Sequence, residues 1–564
     1  MTFSNAVEEL FCIDFTRPSD GKYVPHEVTI PELIYRKKAN ERVALVFDSE
    51  KVTFSFEKLK NEMEALAAGL LSTLQPGDRV LICGYNHSNL MVAALAAIRA
   101  GLVFCLASPN FTKADQLERL LKVGEFRAII CFSAGKEADR LNSLLNEFCP
   151  ELRRSSRGAL RAARVPKLTH VILAEEDHKH AGTYTLSEIY GRSSRDKIEK
   201  LPKYATWDCH QMVAIQFTMG STGESKAVAL SHYQLVNGCR TAALAIGITR
   251  KTVLSCALPL FKLAVFSLAT FSPFLFESST VISEPSPLPR FLFSSIDKFQ
   301  CTSLLTNGAA LRLLLKMAAT QKVRLPTLNT VILLGERVSA PLLTSIGKQL
   351  ENAKRIAVGM LLTETGSVPL LSDNTTNLLK SVGKPLDGYE VDILRVEGVK
   401  SAEEDIGELA IRPIGGMKFL GYGPNFEAAE WIRTGDIAVR SEDGNVEIVT
   451  HKNDLIFDKA NFLVEHWRME RVMAQNEQIR GVQLTMMTFE VISLSRGAPV
   501  MAIIIPKDMT RLDLVKSDLC AMCKNNKVRQ PDTFAMTGDF PRVNTKILKY
   551  KLREMLQTDE VQII

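Results

Sequence analysis

The sequence predicts an α/β fold: a large domain of mostly parallel sheets and helices that carries a β-rich subdomain, followed by a small α+β domain. Three observations predict it. Strand and helix patterns alternate up to about Leu386. Short strands separated by glycine and acidic turns replace them as far as about Asn453. Beyond Asp454 a compact run of helices and strands closes the chain.

Taken in order, Phe54–Leu74 carries apolar residues at helical spacing and predicts an amphipathic helix. Asp78–Cys83 reads as a strand, Asn89–Ala100 as a helix ended by Gly101, and Leu102–Ala107 as a strand again. Lys113–Lys122 reads as helix and Ala128–Phe132 as strand. This βαβα order implies a largely parallel sheet. The rhythm resumes at Val213–Phe217, Ser231–Ile246 and Val331–Leu334. Leu263–Phe276 is the most apolar stretch, but at about 14 residues, interrupted by Pro273, it is too short to span a bilayer and reads as buried core. Tyr389–Leu394, Gly407–Arg412 and Gly444–Thr450 are the strands of the β-rich part. Then come a helix near Glu465–Ala474, strands near Val482–Ser493 and Val500–Pro506, and helices at Leu512–Asn525 and Ile547–Leu556. The expected domains are 1–453, with the β-rich subdomain at about 387–453, and 455–564, with a hinge near Asn453–Asp454.

Composition narrows the function classes. The 564 residues are 46% hydrophobic and 23% charged, ordinary for a globular protein with several cores. The net charge of +6 is weak on this length and does not imply nucleic acid. The basic run Arg153–Arg164 reads as a solvated face. The 11 cysteines are scattered and mostly sit in apolar stretches, as free thiols of a reducing compartment do; Cys520 and Cys523 read as helix packing. The N-terminus shows neither a secretory signal nor a clear transit peptide, so a cytoplasmic location is expected.

Phe217–Lys226 (FTMGSTGESK) is dense in glycines and hydroxyls between two apolar runs, and Ser231 is placed to cap the helix that follows. Glycines let a backbone approach an anion closely, exposed N–H groups form a concave anion site, and Lys226 adds positive charge. No Gly-Lys-Ser/Thr opens a helix, so this is not a Walker A loop. A polar surface hairpin would have the same composition, and composition alone leaves both readings open.

Seven blocks in order resemble the adenylate-forming (AMP-binding) superfamily of acyl-CoA synthetases, luciferases and peptide-synthetase adenylation domains. They are QFTMGSTGESKAVALSHYQLVNG, LLGERVSAP at Leu333–Pro341, LLTETGS at Leu361–Ser367, SVGKPLDGYEVDI, GELAIR, WIRTGDIAV, and PRVNTKILKYKLRE. The match covers nearly the whole chain and is closest to medium-chain acyl-CoA synthetases of the acyl-CoA synthetase family member two type. It implies that a carboxylic acid, here a fatty and medium-chain one, is activated with ATP to acyl-AMP and then passed to coenzyme A. It also implies Mg²⁺, a mobile C-terminal domain, a mitochondrial location as the alternative compartment, and no nucleic-acid partner. By this resemblance Thr218, Gly220, Ser221, Thr222, Gly223 and Lys226 would hold phosphates. Thr363 would touch a phosphate, Glu364 and Thr222 would hold Mg²⁺, and Gly335, Glu336 and Arg337 would line the adenine pocket. Asp436 would accept the ribose hydroxyls, with His451 where the family has a ribose-binding arginine. Lys546 would bridge carboxylate and α-phosphate.

Each of the acids and Lys546 also has a bland reading, as a cap, a turn residue or a solvated helix face. The chain departs from the family pattern near the chemistry. Ser225 and Ala227 flank Lys226 in place of proline and glycine; Met360 and Leu361 replace an aromatic and a glycine; Lys262 replaces the histidine of PxxH; and Lys459 and Ala460 replace the hinge glycines. A catalytically impaired homologue that binds nucleotide or acyl ligand, or partners an active paralogue, is therefore the alternative.

Overall fold

The structure, a computed structural model, describes residues 23–36, 40–132, 137–174, 180–218, 224–285, 288–321, 324–336, 338–373, 378–396, 406–458, 460, 462–486, 499–543, 546–558 and 560–564. Within these, one compact unit is drawn from 23–218, 225–390 and 412–432, and a second from 224, 391–411 and 433–564.

The first unit is built on two sheets. The seven-stranded one runs in the order Thr183–Thr185, His170–Leu173, Ala128–Cys131, Arg79–Cys83, Val103–Ala107, Met212–Phe217, Ala227–Ser231. All its neighbours are parallel except the last pair, an antiparallel hairpin. The nine-stranded sheet runs Lys384–Pro385, Ser367–Ser372, Arg355–Leu362, Thr330–Leu334, Ser303–Thr306, Val253–Cys256, Ser279–Ile282, Val43–Phe47, Val52–Ser55, parallel in its middle and antiparallel at both edges. Buried strands made of continuous apolar runs, such as Thr330–Leu334, are what a sheet covered on both faces requires. The expected α/β class with mostly parallel sheets is what the chain forms.

Among this unit's buried helices, two bear on the segments around the glycine-rich loop and Lys262. His232–Ile246 begins with a full capping box: Ser231 Oγ accepts from Gln234 N at 3.2 Å, and Gln234 Oε1 accepts from Ser231 N at 2.9 Å. It packs on Ser367–Ser372 of one sheet and on Ala227–Ser231 of the other, so it lies between them. Leu263–Phe276 is one continuous helix despite Pro273 and is buried from Leu263 to Leu275. Proline cannot donate to the carbonyl four residues back, Ala269. Thr280 Oγ1 donates to that carbonyl instead, at 2.8 Å, from the neighbouring strand Ser279–Ile282.

Some sequence expectations are corrected. The helix expected from Phe54 starts at Phe56, because Val52–Ser55 pairs with Val43–Phe47 as a strand and Ser55 becomes the N-cap. The arginines of the basic run 153–164 are all exposed, as expected of a solvated face, and Arg164 together with Lys122 also neutralises Glu118, whose side chain is only 6% exposed. The described cysteines form no disulfide, and all but half-buried Cys520 are buried.

The second unit has a four-stranded sheet, Glu390–Leu394, Ile406–Arg412, Ile432–Arg440, Val446–His451, and another of Ile479–Met486, Val500–Pro506, Thr533–Met536 and Gln562–Ile563. Helices His466–Met473 and Leu512–Asn525 pack through Met469, Met473, Val515, Leu519 and Cys523 on the core of the latter. The expected strand Val482–Ser493 is observed as Ile479–Met486, and 487–493 fall outside the described residues. The last helix starts at Lys549, not Ile547, because Lys546–Ile547 pairs antiparallel with Arg542–Val543. Its basic face is not simply solvated. Lys549 pairs with Glu470 at 2.8 Å and Arg553 with Asp454 at 3.3 Å, all four side chains being mostly buried. Among the described residues no helix is long and apolar enough to cross a membrane.

Candidate functional site

In open α/β sheets the free backbone groups and loops at the carboxyl ends of the strands form the ligand-binding crevice. Strand Met212–Phe217 ends in the glycine-rich loop, and Ala227–Ser231 returns from it. Its two shoulders are closed by hydrogen bonds. Thr218 N donates to Lys226 O at 2.9 Å, Lys226 N to Thr218 Oγ1 at 3.0 Å, and the Ser225 hydroxyl to Thr218 O. Gly220, Ser221, Thr222 and Gly223 lie outside the described residues.

Lys226 is exposed, and its ammonium stands 4.8 Å from the ring centre of Tyr422. The Tyr422 hydroxyl donates to Glu364 Oε1 at 2.8 Å. Burial, and then the Glu364 carboxylate, push the phenol well above its ordinary range, so it acts as a neutral donor. Three backbone features bring these side chains together. Segment 421–423 adds to the edge of Ala227–Ser231: Ala229 N donates to Gly421 O at 3.2 Å and Gly423 N to Ala227 O at 2.8 Å. Glu364 sits in a one-turn 3₁₀ segment, Thr363–Thr365, at the end of strand Arg355–Leu362. Gly366 ends that turn with φ +60°, where an added Cβ would stand 2.7 Å from Leu235 Cδ2, so a side chain there is both strained and crowded. Thr363 and Glu364 are half-buried.

A second group gathers at the carboxyl ends of three adjacent strands, Val253–Cys256, Ser303–Thr306 and Thr330–Leu334. Gly335 and Glu336 directly follow the last of these, with Gly335 N donating to Gly359 O at 3.2 Å. The Glu336 carboxylate accepts from Gly308 N. Lys262 lies beyond a loop that Asn86 clamps, through Asn86 Nδ2 to Leu258 O at 3.0 Å and Leu260 N to Asn86 Oδ1 at 2.8 Å. Burial pulls the Lys262 ammonium below its ordinary value, and Glu336 partly offsets this. Burial pushes the Glu336 carboxyl up, against the pull of Arg312, Lys262 and a backbone N–H. Arg337 lies outside the described residues.

In the second unit, Asp436 faces His451 across the antiparallel strands. Gly435 between Thr434 and Asp436 has φ +78°, and a Cβ there would stand 2.7 Å from His451 Nε2. Asn453 N donates to His451 Nδ1 at 3.2 Å. Sequence reasoning passed over the residue that shapes this turn, Glu408. Its carboxylate, 4% exposed, accepts from Gly435 N at 3.1 Å and from Arg433 Nε at 2.9 Å, with Lys452 Nζ at 3.5 Å. Burial works against its charge, but Arg433 and Lys452 outweigh burial and hold the carboxyl below the usual range. Lys546 lies in its short strand, and its side chain is outside the described residues.

Tyr422 was likewise passed over. Its signal is an aromatic between two glycines, Gly421-Tyr422-Gly423.

The family described as AMP-binding enzyme matches residues 35–422. The chain is 26% identical over 546 residues to "Medium-chain acyl-CoA ligase ACSF2, mitochondrial" of Macaca fascicularis, covering 92% of this chain and 85% of that protein. Its fold is similar to that of the anthranilate CoA ligase AuaEII in complex with anthranoyl-AMP, at TM-score 0.75 and 18% identity over 95% of this chain and 98% of the other. ATP-bound MatB from Rhodopseudomonas palustris is similar at TM-score 0.75 and 18% identity, over 94% and 99%.

Proposed function

The chain belongs to the AMP-binding enzyme family, the adenylate-forming ligases, and from that premise we propose that it activates a medium-chain fatty acid with ATP and transfers the acyl group to coenzyme A. The observation that carries the reading is the line Lys226–Tyr422–Glu364. It sets an exposed cation beside the glycine-rich loop and a carboxylate that, among the described residues, has no cationic partner.

Whether these residues suit ATP and Mg²⁺ can be judged from the donor set. Glu364 keeps one oxygen for a hard cation while a neutral phenol holds the other, which suits Mg²⁺. When bound, Mg²⁺ offsets phosphate charge. The remaining chemistry belongs to the chain. The acid's carboxylate displaces pyrophosphate at the α-phosphorus, two anions must meet, and cations must therefore stand ready where charge gathers. Lys226, Thr218 and the loop residues Gly220–Gly223 hold the phosphates in this reading, and Thr363 donates beside Glu364. Gly335, Glu336 and Arg337 line the adenine pocket, while Asp436 and His451 hold the ribose. Lys546 bridges the reacting groups. Lys262 stands in place of the family's acyl-gating histidine, and the coenzyme A thiol then takes the acyl group as AMP leaves. The domain boundary near Asn453–Asp454 serves as the hinge between the two steps.

The macaque relative's name supports a medium-chain acid and, of the two compartments left open, the mitochondrial one. Acid-dependent pyrophosphate exchange across a chain-length panel, with Lys546→Ala as control, tests the reading. Exchange highest with medium chains and abolished by the control is expected. No exchange with any acid would refute it.

A second reading, an adenylating protein that has lost thiolation, is favoured by Lys459 and Ala460 in place of glycines and by His451 in place of arginine. Exchange without thioester formation would select it.

A further inference from the structure

Away from these groups, three side chains of different donor type converge. Glu27, Cys209 and His210 each offer one ligand atom, all within 4.8 Å of one another. Two of them meet at a single oxygen: the Cys209 thiol lies 3.1 Å from Glu27 Oε2, and His210 Nε2 lies 2.9 Å from the same atom. A thiolate, an imidazole and a carboxylate are the donor types that zinc takes, whereas Mg²⁺ and Ca²⁺ take oxygen.

The cluster is held by a rigid support. Helix His232–Ile246 pins both chain segments that supply it. Tyr233 N donates to Cys209 O at 2.8 Å. Asn237 grips His26 from both sides, accepting from His26 N at 2.8 Å and donating to His26 O at 2.9 Å. Ile30 N donates to His232 Nδ1 at 3.2 Å. The His210 ring packs on Tyr233 with centroids 4.8 Å apart. Donors fixed in this way lose little freedom on closing around an ion. The exposure is graded: Cys209 is 8% exposed, the His210 side chain 35% and that of Glu27 62%, so the sulfur forms the floor and the open side faces water.

We propose that Glu27, Cys209 and His210 bind one Zn²⁺ ion, with water completing the fourth position. Binding releases the Cys209 thiol proton to solvent. In its absence burial and Glu27 push that thiol up to about 12, so it is a protonated donor to the carboxylate. The ion would act as a clamp: His210 stands two residues before strand Met212–Phe217, which enters the glycine-rich loop, and Tyr233 lies in the helix that leaves it. This inference is independent of the function proposed above.

The test uses the full chain, stripped of metal under reducing conditions. Zn²⁺ is titrated against a chromophoric chelator, and Co²⁺ is then used as a spectroscopic probe. One ion per chain, a thiolate-to-cobalt charge-transfer band and a higher melting temperature with Zn²⁺ are expected. Cys209→Ser should lose the band, and His210→Ala and Glu27→Gln should lose chelator-competitive binding. Unchanged circular dichroism of the metal-free variants would show that they still fold, and exposed Glu27 makes Glu27→Gln the variant least able to disturb the fold. No uptake by the parent chain, or uptake and a thiolate band that survive Cys209→Ser, overturns the proposal.

Discussion

Replacing Tyr422 by Phe removes one oxygen and one interaction, the 2.8 Å hydrogen bond to Glu364, and leaves the ring beside Lys226 in place. A hydrogen bond to a charged group contributes about 1.5–3 kcal/mol, which converts to roughly 10- to 150-fold in rate or affinity if all of it serves the bound state. Partners that orient a metal-binding carboxylate cost about 10–100-fold in metal affinity or activity when lost, so the two estimates agree. The expected result for Tyr422→Phe is therefore a fall of about 10–100-fold in pyrophosphate exchange at low Mg²⁺, partly recovered as Mg²⁺ is raised. Tyr422→Leu also removes the ring, whose interaction with an exposed ammonium is worth about 0.5–1 kcal/mol, a further factor of roughly 2–5. Unlike the first loss, this one should not respond to Mg²⁺. The assay is exchange measured over a Mg²⁺ series, with melting temperature followed to exclude unfolding. Activity of Tyr422→Phe within about twofold of the parent at every Mg²⁺ level would refute the assignment of Glu364 to the metal through Tyr422.

The other predictions follow from single contacts. Thr280→Val preserves shape but leaves the Ala269 carbonyl unpartnered beneath Pro273, and should cost about 1–3 kcal/mol of stability by denaturant titration. Thr280→Ser, which keeps the hydroxyl, should recover most of it. Glu408→Gln should cost about 1–3 kcal/mol at neutral pH, discounted because Arg433 and Lys452 are half exposed. Because the folded carboxyl titrates below its unfolded value of about 4.3, its contribution is complete above that pH and is lost as pH falls through the lower folded value. The variant should lack that part of the acid-side slope in a stability-versus-pH series. Lys262→Met should raise the KM for the acid and leave that for ATP unchanged, measured by exchange at saturating partner substrate.

What was legible in the sequence was set by local chemistry. The strands on either side of the glycine-rich loop, the Ser231 cap and the helix as far as Ile246 follow from alternation, a capping residue and a glycine stop, all within a few residues of one another. The start of the first long helix was misread by two residues because the apolar pattern was extended back to Phe54, whereas Val52–Ser55, with its β-branched and aromatic residues, pairs with Val43–Phe47, a non-local choice. Tyr422 escaped notice because its partners, Val228 and Glu364, come from distant parts of the chain. Glu408 was open to detection. An acid inside the strand Ile406–Arg412, where every residue but the last is buried, must have found cations, since an unpaired buried carboxylate is too costly to keep.

The same cost separates structural acids from candidate chemical ones. Glu118, Glu408, Asp454 and Glu470 each have a lysine or arginine within ion-pair distance, and all four side chains are mostly buried. Their charge is used up by the fold. Among the described residues, half-buried Glu364 is met by a phenol and exposed Lys226 by an aromatic ring, neither by an opposite charge in ion-pair contact. Lys262 is half-buried and, among the described residues, has no carboxylate in ion-pair contact; Glu336 reaches it only at longer range. Folding alone gives no reason to hold Glu364 and Lys262 uncompensated, because half-buried ions without counter-charges cost stability, and exposed Lys226 contributes little to the fold in either state. A ligand that brings phosphate, a divalent cation and a carboxylate would compensate all three at once. If that is their purpose, neutralising Glu364, Lys226 or Lys262 singly should leave stability unchanged or raise it while exchange activity falls, whereas neutralising Glu408 should lower stability. Loss of stability on neutralising any of the first three would assign that charge to the fold instead.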